Sequence, residues 1–146
     1  MSSTEPRPGA IRVLVGLMIF QGFSGVVGGC GLTFDATGSA VGLDRKWLEG
    51  SPFRDYLVPG VILLSGLGIG PLAVAFGILR RSAWAWFASV LAGVALIVWI
   101  IVEVLVVGYI SHPPLQLLYG LVGIGIVAVT TLAPVRRHLK ASGSPG

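Results

Sequence analysis

The stretch Ala83–Ile110 reads AWAWFASVLAGVALIVWIIVEVLVVGYI, with one charge and no proline. As a helix rising about 1.5 Å per residue it is roughly 40 Å long, more than the roughly 30 Å hydrocarbon core of a bilayer. It therefore predicts a membrane-spanning helix. Its one charge, Glu103, lies well inside. An ionisable side chain at such depth is costly in lipid, so Glu103 is the first candidate for a functional site.

The composition points the same way. Of 146 residues, 54% are hydrophobic and only 11% are charged, against roughly 25% charged in a soluble domain. Mean hydropathy is +0.89. A soluble fold of this length cannot hide so much apolar surface, so the chain is expected to be an integral membrane protein. The formal charge of +4 does not imply nucleic acid, because the basic residues flank apolar spans and serve as topology signals. The single cysteine, Cys30, excludes an internal disulfide or a paired-thiol redox centre.

Four spans are expected in all, at about 12–33, 57–79, 83–110 and 115–133, in one all-α transmembrane domain covering 1–146. The first span is dense in glycine, and Gly25 and Gly29 sit four apart, a spacing that lets helix backbones approach closely. Two arginines before an apolar run also resemble a signal peptide, and Val27-Gly28-Gly29-Cys30 loosely resembles a lipobox. The apolar run continues past Cys30, which favours a small buried cysteine in an uncleaved helix.

Residues 34–56 form a long polar loop, FDATGSAVGLDRKWLEGSPFRDY. Asp35 to Gly38 is a turn signal. Asp44 to Glu49 is expected as a surface turn, with Trp47, Phe53 and Tyr56 at headgroup level. Ser51-Pro52 reads as a helix start, with Asp55 in the first turn. In the second span, Pro59 predicts a slight kink. The run Ser65-Gly66-Leu67-Gly68-Ile69-Gly70-Pro71 lacks the strand and lysine of a phosphate loop. It predicts a flexible point, with Gly66 and Gly70 forming a second close-packing face. His112-Pro113-Pro114 is expected to break the third span, and Pro134 to end the fourth. A flexible tail is expected at 141–146.

Orientation follows from charge. Arg7, Arg12, Arg80, Arg81, Arg136, Arg137 and Lys140 fall on one side, and Arg45, Lys46 and Arg54 on the other. The positive-inside rule then places both termini in the cytoplasm and the long first loop outside.

Glu103 has a predictable neighbourhood. Trp99 lies one turn before it on the same face. Across the hairpin, Gln116 and Tyr119 reach similar depth and are expected as its partners. Gln21 is a second polar group within a span, expected to hold helices together. Asp44 and Asp55 read as solvated loop charges, and no metal-ligand set, catalytic pair or cofactor motif occurs in the sequence.

The stretches DATGSAVGL and WLEGSPFRDYLVPG, between Asp35 and Gly60, resemble a segment of small bacterial four-helix membrane proteins that have no assigned activity. That resemblance implies a class and no mechanism; the expected location is a bacterial plasma membrane. The chain is also similar in size to small multidrug transporters. Those carry a glutamate in the first helix, where this chain has no acidic residue.

Two roles are compatible with these features. The leading expectation is a non-enzymatic accessory or scaffold subunit, packing on a membrane protein partner or on its own copies through glycine faces and its outer loop. The alternative is an oligomeric proton-coupled carrier of a small or lipophilic molecule, centred on Glu103. No cofactor is expected for either.

Overall fold

The structure, a computed structural model, describes residues 9–39, 54–108 and 115–142. Among these residues it is all-helical, in the order α1 (Gly9–Phe34), α2 (Leu57–Leu64), a π-helical segment (Ser65–Ile69), α3 (Gly70–Leu79), α4 (Trp84–Val107), α5 (Leu115–Thr130) and α6 (Ala133–Ser142). Three stretches, Gly9–Phe34, Leu57–Leu79 and Trp84–Val106, are long and apolar enough to cross a membrane. The expected surface turn at Asp44–Glu49, the aromatics Trp47 and Phe53, the Ser51-Pro52 cap and the His112-Pro113-Pro114 break lie outside the described residues.

The fourth span differs from its sequence reading. α5 has 16 residues, only about 24 Å at helical rise. After Thr131 and Leu132 the chain turns by 68° into α6. Pro134 therefore does not simply end a helix. It sits in the first turn of the next one, where a missing N–H has no consequence. Arg136 and Arg137 are exposed on α6, while Val135 and Leu139, four residues apart, are fully buried beneath it. The helix runs through Ser142, two residues into the stretch expected as tail. Among the described residues three helices are thus long and apolar enough to cross a membrane, or four when α5 and α6 count as one bent span.

The third span also ends earlier than its proline signal. Gly108 takes φ 86°, which a side chain would make costly, and its N–H bonds the Val104 carbonyl. At the other loop, the expected turn forms around Asp35. Its carboxylate accepts from the Thr37 and Ser39 hydroxyls, each at 2.6 Å, and Gly38 supplies φ 83°. Among the described residues the second helix begins at Leu57. Asp55 stands just before it and accepts the Leu57 N–H at 3.0 Å. Pro59 falls in the first turn of α2, where its missing N–H breaks no helical bond. Tyr56 is buried against Leu32 rather than lying at the surface, and its N–H donates to Ala36 O at 2.8 Å.

The helices pair as two hairpins. In the first, α1 lies against α2, the π segment and α3. Gly25 and Gly29 make that contact possible. A Cβ on Gly29 would stand 2.5 Å from the Leu64 backbone, and one on Gly25 would collide with the Leu67 carbonyl. Opposite them, Gly60 and Gly68 are the small residues that let α1 in, not Gly66 and Gly70. Positions two apart point to opposite sides of a helix, so the face that presents Gly68 to α1 turns Gly66 and Gly70 away. In the second hairpin, α4 meets α5 through Gly93 and Gly123, whose absent side chains admit Val127 and Ile97.

The two hairpins join at one end. There Ile11, Leu14 and Met18 of α1 pack with Ile78 of α3, Ile126 of α5 and Val135 and Leu139 of α6. Arg12, Arg80, Arg81, Arg136 and Arg137 ring the same end, and Arg81 donates to the His138 carbonyl at 3.3 Å. Toward the other end α2 and α4 stand apart, and the bundle opens.

Candidate ligand-binding cleft

The opening between the hairpins is a cleft of about 640 Å³ lined by α1, α2, the π segment, α4 and α5. Its walls are apolar, with Leu63 and Leu67 on one side and Leu96 and Val106 on the other. Ile62, Val98 and Val102 line it and remain exposed, so the cleft opens sideways between α2 and α4. That is the direction in which lipid lies around a spanning bundle.

Glu103 is part of the wall. Four residues earlier on the same face of α4, Trp99 lines the same wall of the cleft. From the start of α5, Gln116 Nε2 donates to Glu103 Oε1 at 3.4 Å and to the Gly108 carbonyl at 3.0 Å. The second bond exists because Gly108 ends α4 with its carbonyl unspent by the helix. Gln116 is buried, so one amide fastens the end of α4 to the beginning of α5 and positions the carboxyl. Tyr119, one turn further, lines the cleft but serves differently: its ring stacks on Phe20 of α1, centroids 5.9 Å apart. The structure thus brings Glu103, Trp99, Gln116 and Tyr119 to one cleft, with Gln116 as the hydrogen-bond partner of the carboxyl.

Gln21 forms the opposite polar wall, and a proline explains its contact. In an α-helix the Leu67 carbonyl would take the N–H of residue 71, but Pro71 has none. The helix adjusts by the π segment, with Gly70 N–H reaching back to Ser65 O. Gln21 Nε2 then donates to Leu67 O at 3.1 Å and ties α1 to the second helix. Gln21 is 2% exposed, and its Oε1 has no hydrogen-bond partner.

Cys30 lies within α1, which continues four residues beyond it and supplies the surface on which Gly60 and Gly68 pack. Three features had weak sequence signals. Gly93 and Gly123 are far apart in sequence, so their seam shows only in three dimensions. The Trp86 indole donates to Thr130 O at 2.9 Å, at the C-terminal end of α5. α6 was signalled by the apolar pair Val135 and Leu139 amid basic residues. Among the described residues no group of His, Cys, Asp or Glu could hold a metal ion.

Comparison with protein-family models, with curated proteins and with solved structures gives no match.

Proposed function

We propose that the chain is a non-enzymatic four-span protein of a bacterial plasma membrane, with both termini in the cytoplasm, that holds a small lipophilic molecule in the cleft between its hairpins. Glu103 is the polar anchor of that site, and the role is that of a carrier. One observation carries this reading: Glu103 lies on the wall of a laterally open cleft of about 640 Å³ rather than in a closed helix contact. Small-molecule sites span roughly 300–1,000 Å³ and are mostly apolar with a few placed polar groups. A scaffold needs Glu103 only to be satisfied; a carrier also needs room beside it. In this orientation the arginine ring faces the cytoplasm and the cleft sits in the outer half of the membrane.

The accessory-subunit reading loses part of its support. Gly25 and Gly29, two of the glycines expected to receive a partner, are occupied by α2 and the π segment of the same chain. That reading keeps the outward Gly66 face and the loop after Ser39.

The test is native mass spectrometry of the protein released from lipid nanodiscs, beside an Ala95→Trp variant. Ala95 lines the cleft from α4, and an indole there fills space without replacing Glu103 or Gln116. The wild type is expected to retain a stoichiometric small lipophilic molecule that the variant releases. An empty cleft with a second polypeptide bound overturns the carrier reading in favour of the accessory one. Glu103→Gln then separates coupling from binding, because a proton-coupled carrier keeps its fold but loses the pH dependence of uptake.

A further inference from the structure

Among the described residues the arginine end of the bundle has no acidic side chain. Arg12, Arg80, Arg81, Arg136 and Arg137 are all exposed there. The described acids, Asp35, Asp55 and Glu103, lie toward the other end: after α1, before α2 and late in α4. Topology alone asks only that basic residues stand on one side of the membrane. Here they are also gathered. Arg81 Nη2 donates to the His138 carbonyl at 3.3 Å, which brings the α3–α4 turn against α6, one residue from Arg137. The turn itself is unusual. Ser82 N–H bonds Gly77 O at 2.9 Å and Arg81 N–H bonds Ile78 O at 3.0 Å, a helix ending that favours glycine at position 81. Arginine stands there instead, at φ 54°, where a side chain is costly. Aromatic rings mark the depth of the patch. The Arg80 guanidinium lies over the exposed Phe76 ring, 5.4 Å from its centroid, and the exposed Trp84 ring rests on Gly77. Exposed rings beside basic residues sit where acyl chains meet headgroups, so these arginines fall at the level of the phosphates.

We propose that this end binds the headgroup of an anionic phospholipid, held between the α3–α4 turn and α6. Charge complementarity names the occupant, because five exposed arginines face the headgroup layer without an acid among them. The fold supplies the surface. α6 leaves α5 at 68°, turns Val135 and Leu139 inward, and offers Arg136 and Arg137 outward. A basic segment lying beside a span is the arrangement that attracts anionic lipid. Guanidinium groups present paired N–H donors that match phosphate oxygens. The site shares no residue with the cleft. It requires only that the bundle lie in a membrane, and it stands or falls apart from the carrier reading.

The experiment is native mass spectrometry of the full chain in detergent, offered equal amounts of phosphatidylglycerol and phosphatidylcholine. Both carry a phosphate, and only the first has a net negative charge. The wild type is expected to hold phosphatidylglycerol in about tenfold preference, and each arginine removed from the site to cut that preference about fivefold. Arg81→Gly should therefore reduce it, and Arg136→Gln combined with Arg137→Gln should abolish it. Glycine is at ease at φ 54°, so Arg81→Gly is expected not to lower the melting temperature, which separates binding from folding. Arg54→Gln removes one charge from the other end and is expected to keep the full preference. No preference in the wild type, or an equal loss in Arg54→Gln, overturns the site and leaves the arginines as topology signals. A preference that falls only where the melting temperature also falls overturns it in favour of a structural role. Displacement of the lipid by inorganic phosphate, beyond that by sodium chloride of equal ionic strength, overturns the lipid assignment in favour of a free anion.

Discussion

Gly25 has no room for a methyl group. A Cβ there would strike the Leu67 carbonyl, and on Gly29 it would stand 2.5 Å from the Leu64 backbone. Backbone cannot swing aside as a side-chain tip can. Gly25→Ala and Gly29→Ala are therefore expected to destabilise the protein by about 1–3 kcal/mol, the range for overpacking a tight contact. Gly16, with open space around its Cβ position, is the control. Gly16→Ala is expected to be neutral or to gain about 0.5–1 kcal/mol of helix propensity. The folded fraction after graded heating in detergent separates the three variants, and equal losses in all three would sink the seam. The four-residue glycine spacing made Gly25 and Gly29 legible in the sequence. At Gly66 and Gly70 the same spacing marks a face that α1 does not use, because spacing defines a face and only the partner helix decides which face is used.

At the level of the helix, the π segment shows how one residue reshapes an element. Pro71 removes the donor for Leu67 O, and Gln21 fills the place from another helix. Gln21→Met should then cost about 1 kcal/mol in the native sequence. In a Pro71→Ala background the helix supplies its own donor, and the same substitution should cost little. A double-mutant cycle by thermal unfolding measures this coupling, expected near 1 kcal/mol. Additive losses would mean that Gln21 and Pro71 act independently. Trp86→Phe is likewise expected to cost about 1 kcal/mol, because the Thr130 carbonyl at the end of α5 loses its indole partner. The glycine run could be read as irregular from its composition. That Gln21 answers it could not, since 46 residues separate the two. Pro134 carries the same lesson. A proline signals a boundary, and the residues after it decide whether one helix stops or another begins. Here Val135 and Leu139, buried against the core, begin another.

For the whole molecule, the apolar spans and the gathering of arginines at one end were legible, because hydropathy and charge are local properties of the chain. The neighbourhood of Glu103 was legible in part. Helical periodicity put Trp99 on its face and loop length put Gln116 at its depth, while Tyr119 took a different partner in Phe20. The cleft itself was not legible, since it arises where two hairpins diverge. The orientation proposed for the bundle has a direct check. With Cys30→Ser as the cysteine-free background, Ser39→Cys should react with a membrane-impermeant thiol reagent on intact cells. Arg137→Cys should react only after permeabilisation. The reverse pattern would invert the topology.

Photo-crosslinking decides whether the cleft is a binding site for a lipophilic molecule. A diazirine-bearing dodecylamine is activated on the protein in nanodiscs, and the adducts are mapped by peptide mass spectrometry. Adducts are expected to concentrate on Leu63, Trp99 and Val106 within the cleft and to be lost on adding excess unlabelled dodecylamine. Adducts spread evenly over the outward residues Phe23, Leu91, Leu117 and Leu121, and indifferent to competitor, would contradict a binding site there.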